Sequence, residues 1–220
     1  MTPAPSKMER RRAAFATDSW EHGAGISRRR YSSYGEYVEH QSEKIDQIAP
    51  RLQAGRDKAL ARFVSRFENC PELRGPILCL GARLGTEVEA LHRLGHFAVG
   101  VDLNPGAGNP YVLQGDFHAL VFPDHSFDTV YTNVFDHVFD VAKFMAEIRR
   151  VLKPSGHFIT DTIVGHDEGF YIAEYEAMHW PRVEPFLQSV AATNGFDWVR
   201  GGLIPDEPLW FQAVMKPITF

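Results

Sequence analysis

Two cysteines in 220 residues are too few for a disulfide framework or a zinc site. Cys79 lies inside the apolar run Ile77–Leu80 and reads as a buried core thiol, while Cys70 precedes Pro71 at an expected helix end. A reducing cytoplasm is the compartment this usage suggests. No uninterrupted apolar run is long enough to span a bilayer. Met1–Glu21 lacks the apolar stretch of a secretory leader, so no membrane partner is expected. An excess of basic charge is missing as well. Lys and Arg total 23 against 28 Asp and Glu, a net charge of -5, which argues against nucleic acid as a partner. The Gly-x-Gly-x-x-Gly dinucleotide fingerprint is also absent.

The composition that remains, 44% hydrophobic and 23% charged, is that of one soluble domain with a sizeable core. Residues 1–30 carry Arg10-Arg11-Arg12 and Arg28-Arg29-Arg30 around Trp20-Glu21-His22. They read as a basic arm, either mobile or a lid over a bound anion or substrate. Residues 31–220 make the main domain. Its first part, 31–70, holds two amphipathic helices: 34–48 with Tyr34, Tyr37, Val38, Gln41, Ile45 and Ile48 in step, and 51–69 with Leu52, Leu60, Phe63, Val64 and Phe67. Pro50 ends the first or starts the second.

From residue 76 to 162 the pattern alternates between strand and helix. Strands are expected at 77–80, 97–102, 111–113, 127–132 and 157–162, helices at 86–94 and 140–152, and a tight turn at Lys153-Pro154-Ser155-Gly156. Such alternation predicts a Rossmann-like, doubly wound α/β sheet. Residues 163–220 supply a substrate wall, a helix over Val183–Asn194 and two strands, 196–200 and 209–215, joined by the loop Gly201–Pro208. Strands with no helix between them cannot be parallel neighbours, so the last of seven strands should run antiparallel.

Ligands of such sheets bind beyond the carboxyl ends of the strands. Those ends carry Gly81–Gly85, Asp102, Asp116, Asn133–His137 and Asp161–His166. Gly81 and Gly85 allow close backbone approach, and the helix start behind them offers amide donors. Asp102 can accept both hydroxyls of a ribose, and Asp116 can accept from an exocyclic adenine amine.

Taken together, Gly81…Gly85, Gly100-Val101-Asp102, Gly115-Asp116, Phe127-Asp128 and the run Arg150–Gly156 resemble a class I S-adenosylmethionine-dependent methyltransferase over residues 76–162. The resemblance implies S-adenosylmethionine as cofactor. It implies Gly81 and Gly85 for the methionine end, Asp102 for the ribose and Asp116 with Phe117 for the adenine, with Arg83, Leu103 and Asn133 also at the cofactor. One departure is visible: Arg83 stands where the family has its middle glycine.

The acceptor must be read from the remaining strand ends. Asn133–His137 lacks the N/D-P-P-[YFW] tetrapeptide that resembling amino-group nucleic-acid methyltransferases show. It offers Asp136 and His137 instead. A hydroxyl is a poor nucleophile at neutral pH and benefits from a base, so His137 or His166 is expected to take the proton, with Asp136 and Asp161 beside them. A divalent metal held by these four residues is a second, less favoured reading. The expected activity is O-methylation of a small polar acceptor, with a sugar suggested by the acids and aromatics of Gly165–Trp180, by a monomer or homodimer. The rival readings are a nicotinamide-dependent oxidoreductase and a non-catalytic S-adenosylmethionine-binding module.

Overall fold

A capping box opens the chain: Ser6 Oγ accepts from the Glu9 amide while the Glu9 carboxylate accepts from the Ser6 amide, starting α1 (Lys7–Phe15). The computed structural model describes residues 4–23, 25–172 and 174–219, without the side chains of Ile45 and Asp46. The expected contribution of Ile45 to a helix stripe therefore lies outside the described residues. Two short strands follow, β1 (Trp20–His22) and β2 (Ser27–Arg29), then α2 (Tyr34–Ala54), capped by Ser33, and α3 (Arg56–Glu68). Pro50 lies inside α2 at an exposed position, where the carbonyl it leaves without a donor can meet water. The break between the two helices falls at Gly55 instead.

The alternating region forms β3 (Ile77–Leu80), α4 (Thr86–Arg93), β4 (Ala98–Asp102), β5 (Val112–Gln114), β6 (Phe127–Thr132), α5 (Val141–Val151) and β7 (Leu152–Ile163). All four residues of β3 are buried, as a strand covered on both faces requires. Lys153–Gly156 is not a turn before β7 but an excursion within it. Phe127 of β6 pairs with Leu152 and Thr129 with His157, so the extra residues loop out of the ladder. Lys153 Nζ meets Asp128 Oδ2 there at 2.9 Å.

Next come β8 (Met178–His179), α6 (Val183–Thr193), β9 (Phe196–Ile204) and β10 (Glu207–Pro217). The expected loop 201–208 shrinks to residues 205–206, because the hairpin ladder runs on to Ile204 and Glu207. The main sheet has seven strands in the order β5-β4-β3-β6-β7-β10-β9. The first five are mutually parallel and β10 is antiparallel to both its neighbours. This is the Rossmann-like, mostly parallel sheet expected from the pattern. Its chain order reverses between β3 and β6, which makes that edge the switch point where a crevice opens.

Residues 4–30 pack on the far loop. β2 pairs with both β1 and β8, and Phe15 and Trp20 are buried with Ile172. Arg11 and Arg12 lie over the rings of Phe170 and Tyr171, and Arg29 over Trp20. Among the described residues no helix is long and apolar enough to cross a membrane.

Candidate active site

At the switch point sits a narrow cavity. Its floor is Gly81 and Arg83 after β3, Asp102 and Leu103 at the end of β4, Phe117 after β5, and Val134 and His137 after β6. Its roof is one face of α2: Tyr37, Gln41, Lys44 and Ile48, spaced as successive helical turns. No described residue of the arm lines it.

The turn after β3 has three left-handed residues, Gly81 (φ 69°), Arg83 (φ 47°) and Gly85 (φ 78°). Arg83 thus takes the backbone course a glycine would, at the cost an L-residue meets in that region. Its amide donates to Asp102 Oδ2 at 2.9 Å, and the Asn104 amide donates to Asp102 Oδ1 at 2.9 Å. Each carboxylate oxygen keeps a lone pair, so Asp102 can still accept from a diol. Gly81 lines the cavity, and both glycines are also closely packed. A Cβ on Gly81 would meet Val134 Cγ2 at 2.3 Å, and one on Gly85 would meet Tyr111 Cβ at 2.7 Å.

Asp116 is already well supplied. Tyr34 donates its hydroxyl to Oδ2, while the amide and Nδ1 of His118 reach Oδ1 at 2.8 and 3.0 Å. Burial works to raise its pKa, but the bonds from His118 and Tyr34 outweigh it and hold the carboxyl at about 2. Phe117 is buried beside it and lines the cavity. Asn133 lies elsewhere, in a neighbouring cavity bounded also by Glu87, Arg62 and Trp210; Arg83 is common to both cavities.

The other end of the first cavity is the acceptor side expected at Asp136 and His137. Gln41 Nε2 and His137 Nδ1 both donate to the Tyr175 carbonyl, at 2.5 and 3.0 Å. The Tyr37 hydroxyl donates to the His137 carbonyl at 2.9 Å. His137 Nε2 then faces Lys44 Nζ at 2.7 Å, with Asp136 Oδ2 at 3.7 Å. Burial, Lys44 and Arg83 push the His137 pKa well down, so the ring is neutral with its proton on Nδ1. Burial and Arg83 likewise push Lys44 down, against Asp136, Glu176 and Asp102. Burial and Glu176 push Asp136 up. Lys44 and Glu176 were missed in the sequence. The helical step Tyr37, Gln41, Lys44 was the one signal that could have found Lys44.

Asp136, His137 and Glu176 each bring one ligand atom within 4.8 Å of the others, but Lys44 Nζ already takes up the His137 lone pair. The four-residue metal set expected earlier is not assembled. Asp161 lies on another face of the sheet, fully buried between Arg66 (2.9 Å), Tyr131 (2.7 Å) and Gln212 (3.0 Å). A strand alternates its side chains between faces, and Asp161 falls on the α3 side. His166 packs with Phe15, Tyr171 and His179 in the arm's cluster. Neither lines the cavity that holds His137. Of the expected substrate wall, Tyr175 reaches His137 through its carbonyl, whereas His179 and Trp180 are core residues bonded to the carbonyls of Phe170 and Ile163.

Residues 78–160, from β3 through most of β7, match the family model described as a methyltransferase domain. That stretch is similar to methyltransferase domains. The methyltransferase fold extends beyond it. The chain is similar to the 1,6-didemethyltoxoflavin-N1-methyltransferase of Burkholderia thailandensis, solved with that compound and S-adenosylhomocysteine: 16% identity, 91% of this chain and 100% of that one, TM-score 0.68. It is similar to a chain of the Haloferax volcanii complex between the Trm112 methyltransferase activator and a putative methyltransferase: 19% identity, 82% and 98% covered, TM-score 0.64. The glycopeptide N-methyltransferase MtfA with S-adenosylmethionine matches at 13% identity, 73% and 87% covered, TM-score 0.59. The cavity of this chain presents a carboxylate with free lone pairs and an apolar ring under one face of α2.

Proposed function

We propose that this chain transfers a methyl group from S-adenosylmethionine to a hydroxyl of a small polar acceptor, sugars among the candidates, in the cytoplasm as a monomer or homodimer. The donor supplies a methyl carbon made electrophilic by its positive sulfur. Asp102 and Leu103 hold the ribose and Phe117 the adenine. Asp116 aligns the adenine amine from a position shared with Tyr34. Gly81, Arg83 and Gly85 shape the methionine end, and Asn133 reaches it from the adjoining cavity. One observation carries the choice of a hydroxyl: the cavity ends at the buried pair Lys44–His137, a proton-accepting group where an alcohol would need one. Asp136 lies beside His137, its Oδ2 3.7 Å from Nε2. Positioning donor and acceptor in line supplies most of the rate.

The test is methyl transfer from S-adenosylmethionine to parallel panels of hydroxyl and amine compounds, read by mass spectrometry. Methylation of hydroxyl compounds is expected. Methylation confined to amines would replace this reading with N-methylation. Binding of NAD but not S-adenosylhomocysteine in calorimetry would overturn the cofactor assignment. Asp102→Ala should weaken S-adenosylhomocysteine binding by roughly 10-fold or more, the loss of hydrogen bonds to a charged acceptor.

A further inference from the structure

The ring of His137 is locked. Its Nδ1–H is committed to the Tyr175 carbonyl, which Gln41 also holds, and its own carbonyl is held by Tyr37. Only Nε2 faces the cavity, and that lone pair receives an N–H of Lys44 at 2.7 Å. A ring so placed has no free basic atom to offer an acceptor. Lys44 does: an amine that spends one N–H on His137 keeps its lone pair for another partner. Its stem descends from α2 through the cavity roof, within electrostatic reach of Asp102, Asp136 and Glu176.

We propose that Lys44 Nζ, aimed by His137, is the atom that takes the acceptor's proton. The inference rests on reading the cavity as a methyl-transfer site. The step is a proton transfer. The acceptor O–H bond breaks, an N–H bond forms with the amine lone pair, and the electron pair left on oxygen makes the bond to the methyl carbon as the bond from that carbon to the donor sulfur breaks, its electron pair staying on sulfur. The donor's positive charge disappears with the methyl group and Lys44 ends as an ammonium, so charge balances.

The surroundings favour the neutral amine beforehand. Facing Lys44 are Arg83 from the turn after β3, Asp102 from β4, Asp136 and His137 after β6, Glu176 from the loop before β8, and His40 on its own helix. Burial and the Arg83 charge disfavour the ammonium, and the carboxylates temper that effect without cancelling it. A cationic methyl donor beside the same nitrogen adds a further like charge and keeps the lone pair available. Once transfer has removed that charge, the three carboxylates stabilise the ammonium. His137 is a positioning residue in this scheme, and Asp136 and Glu176 hold the ammonium product.

Two measurements test this. The first needs no turnover: the protein without cofactor is labelled with trace acetic anhydride across a pH series, and each lysine is read by peptide mass spectrometry. Lys44 should become reactive well below the value of about 10.4 of a free lysine, with the rise moving to higher pH in Arg83→Gln. A Lys44 that titrates with the exposed lysines overturns the proposal. The second compares Lys44→Arg and Lys44→Gln with wild type. Both should lose roughly 10²–10⁴-fold in kcat, because a guanidinium cannot give up its proton and an amide has none to accept, with S-adenosylhomocysteine affinity retained as evidence of folding. His137→Asn should lose less and should shift the pH profile upward. Near-wild-type turnover of Lys44→Arg refutes the role of Lys44 while leaving methyl transfer intact. A wild-type protein inactive on every hydroxyl refutes the functional reading, and the labelling profile then decides the state of Lys44 alone.

Discussion

Removing Arg66 tests whether Asp161 belongs to the framework or to the chemistry. The Arg66 guanidinium is almost fully buried and serves two carboxylates. Nη1 donates to Asp161 Oδ2 at 2.9 Å, while Nε and Nη2 donate to Glu207 at 2.8 and 2.5 Å. Arg66→Met keeps the volume of the stem but leaves Asp161, at 0% exposure, with only Tyr131 and Gln212 as donors. Breaking a buried pair in this way costs about 3–5 kcal/mol. For a chain of this length that lowers Tm by roughly 6–20 °C. The loss should depend on pH. Burial already raises the Asp161 pKa against the opposing pull of Arg66, and without Arg66 it rises further. Between the unfolded value near 3.9 and the raised folded value the native state binds more protons, so stability falls as pH climbs through that window. Denaturant titrations at pH 5 and pH 8 should therefore show the larger deficit at pH 8. Arg66→Met/Asp161→Asn should recover part of it, because the charge is gone. A deficit under about 1 kcal/mol, or one equal at both pH values, would refute the argument that an ion pair holds Asp161 in place.

Gly81→Ala should destabilise the fold by about 1–3 kcal/mol in thermal melts, since the new methyl enters both a left-handed φ and the space of Val134. Burial raises the Glu87 carboxyl to about 7, so it contributes less stability as pH rises from its unfolded value through 7. Glu87→Gln should accordingly match wild type near pH 5 and exceed it in chemical denaturation at pH 8.

The fold was legible because its causes are local. Ile77–Leu80, Val99–Val101 and Val130–Tyr131 are apolar runs of strand length, and glycines separate them from helices with one apolar stripe. The placing of two acids at the sheet's edge was legible for a related reason. Asp102 and Asp116 stand next to strand ends, and strand ends of a parallel sheet converge whatever the rest of the chain does. Boundaries were less so. Pro50 was read as a helix end, yet α2 runs through it, because four further residues still find carbonyl partners. The β9–β10 ladder likewise extends past the expected loop, where Gly201 leaves room for Trp198 and Phe211 to pack.

By itself the sequence determined the succession of strands and helices along the chain, the glycine turn after the first strand of the sheet, and the acids at the strand ends. Each of these follows from residue type and neighbours along the chain. Only the tertiary structure decided which polar groups meet. Asp161 and His166 stand one strand end from His137, but a side chain's face depends on register, and register placed Asp161 against Arg66 of α3 and left His166 under Phe15. Lys44, 93 residues from His137, reaches it because α2 folds across the crevice. That contact depends on how a helix packs over a sheet, and packing is a property of surfaces that the linear order of residues does not contain.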